Sequence, residues 1–76
     1  MGPTLRYKVV LERNDQGGFT VTVPAFPAIV TQGETQSDAL ANAADAIQLY
    51  VGSLRGRGLP IPDDTEVVIE EVRVPA

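Results

Sequence analysis

Val23-Pro24-Ala25-Phe26-Pro27-Ala28-Ile29, followed by Gly33-Glu34-Thr35-Gln36-Ser37-Asp38-Ala39-Leu40, decides how this 76-residue chain folds. Pro24 and Pro27 lack the amide that a β-ladder needs, so pairing must break between them. Thr35 then stands where a helix N-cap belongs, and Asp38 follows three residues later, where a carboxylate can return the bond. Strand, bend, strand and helix start therefore follow one another closely.

Upstream, Leu5, Tyr7, Val9 and Leu11 alternate with Arg6, Lys8, Val10 and Glu12. A period of two predicts a half-buried strand over 4–13. Asn14-Asp15-Gln16-Gly17-Gly18 reads as a hairpin turn, because these residue types tolerate left-handed backbone angles. Phe19, Val21 and Val23 alternate with two threonines, which predicts a second strand over 18–23. Residues 28–32 resume as a short third strand, and Pro27 at its start suits an edge.

A helix is expected over 36–56. Leu40, Ala43, Ala44, Ile47, Tyr50, Val51 and Leu54 recur at helical spacing and form one apolar stripe. Gly56 and Gly58 offer C-terminal caps, and Pro60 and Pro62 stop the helix. Leu59 to Asp64 is a stiff connector, and 66–74 reads as a fourth strand, with Val68, Glu70 and Val72 on one side and Val67 and Ile69 on the other.

The expected fold is a single α+β domain over 1–76, ordered β-β-β-α-β. A right-handed crossover would return the last strand parallel to the first, giving a four-stranded mixed sheet in the order 3-2-1-4 with one helix on one face. Arg6 and Lys8 on the first strand would then face Glu66 and Glu70 on the last. The uncovered face would carry Val10, Val68 and Val72, a candidate self-association surface. A chain this short buries only about 60% of its unfolded surface, so association into a dimer or tetramer is expected.

Composition removes whole classes of chemistry. The chain has no Cys and no His, which excludes disulfides, thiolate or imidazole metal sites and His-based catalysis. A net charge of −4 argues against direct nucleic-acid binding, which needs a cationic surface, and suits a basic protein partner. No apolar run approaches the ~20 residues that span a bilayer, and no signal-peptide pattern opens the chain, so a cytoplasmic protein is expected. Gly17-Gly18 opens a strand and Gly56-Arg57-Gly58 closes a helix, so neither cradles phosphate at a helix start. Glu12, Asp15, Asp63-Asp64 and Glu70-Glu71 form no converging set that could hold two metal ions, and they read as solvated surface groups. No catalytic residue, metal or cofactor is therefore assigned. Tyr7, Phe19 and Tyr50 fall on apolar faces and read as core. Phe26, between its two prolines, is either a plug over the sheet end or part of a partner contact.

Tyr7 to Glu12, Asp15-Gln16-Gly17-Gly18-Phe19 and Pro24-Ala25-Phe26-Pro27 together resemble the opening of a HicB-like antitoxin domain. Gly33-Glu34-Thr35, Asp38-Ala39-Leu40, Asp45-Ala46-Ile47 and Gly58-Leu59-Pro60-Ile61-Pro62 continue the likeness in order. Ala28 stands where that pattern has glycine, and Asp38 and Asp45 where it has glutamate. The resemblance implies a partial, catalytically dead ribonuclease H fold that covers the active site of a small basic HicA-like toxin that cleaves messenger RNA. Many such proteins add a helix-turn-helix or ribbon-helix-helix. This sequence carries none up to Ala76, so operator binding is not expected. Position and charge nominate Glu12, Asp15, Phe26, Glu34 and Asp38 as toxin contacts. The alternatives are a stand-alone oligomerising or scaffold domain with no toxin and, more remotely, a metal-dependent nuclease.

Overall fold

The computed structural model describes residues 4–76; the first three residues of the expected 1–76 span lie outside it. Strands β1 (Val10–Arg13), β2 (Phe19–Thr22) and β3 (Val30–Gly33) are followed by helix α1 (Gln36–Gly56). The strands form an antiparallel meander in the order β1-β2-β3. Val21 faces Leu11 on one side and Thr31 on the other. Directly opposed residues share a face, so Val10, Thr22 and Val30 make one row on the opposite side of the sheet, and Glu12, Thr20 and Gln32 the next.

Helix α1 lies across the Val21 face. It starts where the capping signal places it: the Thr35 hydroxyl accepts from the Asp38 amide at 3.0 Å, and the Asp38 charge suits the positive end of the helix. It stops at a left-handed Gly58, φ 67°, where the Gly58 and Leu59 amides donate to the carbonyls of Arg55 and Leu54. That closure satisfies carbonyls the helix would otherwise leave bare.

The core has two linked parts. Val21, Ala39 and Ala43 pack with Val9, Leu11 and Phe19. Val23, Phe26, Ile29 and Val51 pack with Tyr7, Ile47, Leu54 and Ile61. The buried line of the helix thus runs through Ala39, Ala43 and Val51, while Leu40 and Tyr50, expected in the stripe, are exposed. Small residues let the helix sit close to the sheet. At the β3–α1 junction a methyl group on Gly33 would overlap the Ala39 amide, so only glycine fits there.

The four-stranded mixed sheet is not formed, and this corrects the expected fold class. The sheet has three strands, all antiparallel, and residues 66–74 belong to no strand. Two local causes are visible. The place beside the N-terminal approach to β1 is taken by the connector: the Tyr7 hydroxyl donates to the Pro62 carbonyl at 2.6 Å, and the Lys8 amide donates to the Asp64 carboxylate. A side chain thereby occupies the ladder position that a fourth strand's carbonyl would need. Thr65 and Glu66 then form a turn closed by the Val67 amide on the Asp64 carbonyl, 2.9 Å. Glu66, expected to begin the strand, is consumed by that turn.

Other differences follow. Ladder pairing on β1 begins at Val10 rather than residue 4, and Lys8 pairs with Asp64 (3.8 Å) instead of facing Glu66 and Glu70. Val10 is half-buried on the sheet, whereas Val68 and Val72 sit on the extended tail at 69% and 88% exposure. No single face carries all three. The described residues span 48 × 28 × 22 Å with a radius of gyration of 14.4 Å, well above the ~11 Å of a compact chain this long.

Candidate protein-binding surface

One end of the sheet gathers most of the acidic residues singled out above. The β1–β2 turn is built by Asn14, whose side-chain oxygen accepts from the amides of Gln16 and Gly18, both at 3.0 Å. Gly17 takes φ 84°, the left-handed angle that glycine adopts without cost. In an antiparallel meander the end of β3 returns to the level of this turn. Gly18 and Gly33 therefore meet, and a Cβ on Gly18 would lie 2.5 Å from the Gly33 carbonyl oxygen. The result is a shallow polar cleft lined by Asn14, Gln16, Gly17, Gln32 and Glu34.

Asp15 stands exposed on the turn, Glu34 on the cleft rim, and Asp38 on the first helical turn. Glu12 is exposed on the uncovered face, in register with Thr20 and through it Gln32. Arg13 lies over the Phe19 ring, 5.4 Å from its centroid, a geometry that holds the guanidinium against the sheet. Four carboxylates thus share one end of the molecule with one locally engaged arginine.

Phe26 does not join them. It lies at the other end of the sheet, where the chain bends between β2 and β3, and is 3% exposed. Its ring meets Tyr7 edge-on at 4.9 Å and Tyr50 at 5.1 Å. The Phe26 amide donates to the Val23 carbonyl and the Ile29 amide to the Phe26 carbonyl, both 2.9 Å. The residue is the plug of the sheet end.

Asp64 is the residue whose role was least visible in the sequence. It is 8% exposed, and it binds the Lys8 backbone and side chain, the Lys8 Nζ donating to its carbonyl at 3.2 Å. Its expected place among the solvated acids is therefore corrected: it ties the connector to the N-terminal segment. No local pattern marks this, because the partners stand 56 positions apart. Asp63 beside it is exposed and accepts from the Thr65 hydroxyl and amide at 2.9 and 3.2 Å, which holds its carboxyl below the usual carboxylate range.

Burial, and then the nearby Asp63 and Asp64 carboxylates, raise the Tyr7 hydroxyl above its ordinary pKa of 10.0, against a smaller opposing pull from Arg55. The folded state holds this proton more tightly than the unfolded chain. Its contribution is whole below pH ~10 and is lost as pH rises through the folded value. Alkaline titration of stability by denaturant melts is expected to show this loss. Tyr7→Phe should remove it, at a cost of about 1 kcal/mol at neutral pH for the bond to Pro62.

Among the described residues no group of three His, Cys, Asp or Glu side chains is placed to hold a metal ion, and no helix is long and apolar enough to cross a membrane. The charge is unevenly spread. Arg6, Lys8, Arg13, Arg55 and Arg57 balance Glu12, Asp15, Glu34, Asp38 and Asp45. The whole net charge of −4 therefore falls on Asp63, Asp64, Glu66, Glu70 and Glu71, offset by Arg73.

Residues 7–74 match the model of a family described as the HicB-like antitoxin of bacterial toxin–antitoxin systems. A UPF0150 protein of Thermoplasma acidophilum is 38% identical over 72 residues, covering 95% of this chain and all of that protein. A UPF0150 protein of Synechocystis is 34% identical over 62 residues, 82% of this chain and 78% of its own length. The antitoxin HicB 1 of Photorhabdus laumondii is 44% identical over 43 residues, which cover 57% of this chain but 28% of that longer protein. No solved structure matches the chain significantly. With nearly its whole length matched in order, this chain belongs to the HicB-like antitoxin family.

Proposed function

We propose that the protein neutralises a small basic toxin of the HicA type, which cleaves messenger RNA, by binding it without catalysis. Family membership across residues 7–74 carries this reading. The acidic end of the sheet supplies its physical basis: Glu12 on β1, Asp15 on the hairpin turn, Glu34 in the bend before α1 and Asp38 on the first helical turn all stand exposed, where they suit a cationic RNA-binding surface. Carboxylates there would compete for the positions that RNA phosphates need. Phe26, at the other end of the sheet, holds the fold together and is not itself a contact. A toxin that acts on messenger RNA places the encounter in the cytoplasm.

The experiment is co-expression with the product of the reading frame adjacent to this one, which on this reading encodes a small basic protein. Growth arrest by that protein alone, relieved when this chain is present and accompanied by co-purification of the two, is the expected result. Unrelieved arrest, with both proteins soluble, would favour a stand-alone scaffold domain.

A further inference from the structure

The tail beyond the Thr65–Glu66 turn is the part of the molecule that its own fold leaves unused. Val68, Ile69, Val72 and Val74 are all more than half exposed, in a segment that belongs to no strand. Leaving such a row in water forfeits the burial that small domains depend on. Glu70 and Glu71 stand exposed between these side chains and make no ion pair among the described residues. In extended backbone Val68, Glu70, Val72 and Val74 share one side, spaced roughly 7 Å apart. Apolar and acidic groups thus come in one row.

The distribution of charge says what kind of molecule covers this row. Up to the connector, cations and carboxylates are equal in number, so the whole net charge of −4 lies on the tail and its Asp63-Asp64 root. The chain's own neutral body exerts no net pull on such a tail. Lys8 is already engaged by Asp64, and Arg13 lies over Phe19. A second copy brings the same neutral body and a tail of like charge, which repels. Nucleic acid is repelled in the same way. A cationic protein surface is attracted, and it can also bury the valines. We propose that residues 67–74 are a second contact for the basic partner, lying along it as an extended strand whose carboxylates meet cations and whose apolar side chains fill the recesses between them. The inference rests on the toxin reading and adds to it a site separate from Asp15, Glu34 and Asp38. The root of the tail is fixed, since the Lys8 amide donates to the Asp64 carboxylate and the Val67 amide to the Asp64 carbonyl. Once the acidic end of the sheet has engaged, docking of the tethered tail is intramolecular, and affinity rises accordingly.

The test is to titrate the isotope-labelled full chain with the purified product of the adjacent reading frame. NMR signals of the amides of residues 67–74 should shift and their hydrogen exchange should slow, alongside shifts at Asp15 and Glu34. In the free chain the same tail amides should exchange without protection. Val68→Ser/Val72→Ser should weaken binding by about 30-fold. Glu70→Lys/Glu71→Lys should slow association by about tenfold at low salt. Both variants should keep the circular dichroism and melting temperature of the parent, because all four side chains are exposed. Tail variants that bind as tightly as the unaltered chain, while Asp15→Lys/Glu34→Lys/Asp38→Lys loses binding, overturn this proposal and leave the toxin reading standing. Failure of the unaltered chain to bind overturns both. Tail amides already protected in the free chain, whether by its own body or by a second copy, also overturn the proposal, because the row would be covered before any partner arrives.

Discussion

Phe26→Ala is expected to leave the protein largely unfolded at physiological temperature. The ring is almost wholly buried and joins Val23, Ile29 and Val51 with Tyr7 and Tyr50. Truncating such a phenylalanine costs about 3–5 kcal/mol, because the cavity left behind closes only in part. A domain this size has roughly 4–11 kcal/mol in total, so one substitution removes a large share of it, and nearly all of it at the lower end of that range. The melting temperature should fall by roughly 15–30 °C, read by circular dichroism. Phe26→Leu, which fills more of the space, should lose far less. A small effect of alanine would mean that the bend between β2 and β3 does not depend on its plug.

The second large effect concerns the acidic end. Reversing three charges with Asp15→Lys/Glu34→Lys/Asp38→Lys should weaken toxin binding by about 1,000-fold or more, some 4 kcal/mol, since like charges brought together at an interface cost several kcal/mol. The three side chains are exposed, so the fold should tolerate the change with a modest loss at the helix start, where Asp38 favours the macrodipole. Binding of the unaltered protein should weaken steeply with added salt, and that of the triple variant should not.

The sequence made the local structure legible where signals reinforce one another. Thr35, Gly58 and Pro60 bound the helix, and Asn14 with Gly17 defines the hairpin, because capping and turn chemistry act over a few neighbouring residues. Most of the helix face was legible too: Ala43, Ile47, Val51 and Leu54 pack on the core as their spacing requires, but Ala39 takes the inner place while Leu40 and Tyr50 are exposed. Leucine and tyrosine at 40 and 50 carry more hydrophobic weight than Ala39, yet close packing against Gly33 and Thr31 favours the small side chain. The fourth strand shows a deeper limit. Alternation in 66–74 says that the segment prefers to be extended and half-buried, but not which edge receives it. A side chain 56 positions from Lys8, Asp64, decided that this edge was closed at its start. Of the candidate contacts, Asp15, Glu34 and Asp38 come together because turn and helix start share one end of a meander, which follows from the strand order. Phe26 departs from them for the same reason: consecutive turns of a meander lie at opposite ends.

Titrating the purified protein into the small basic toxin proposed as its partner, while following cleavage of a defined messenger RNA, decides whether it neutralises by binding. Cleavage should fall in proportion to added protein and stop at a stoichiometric end point, with the RNA itself left unbound. Cleavage that continues unchanged in a large excess of folded protein would contradict neutralisation by binding.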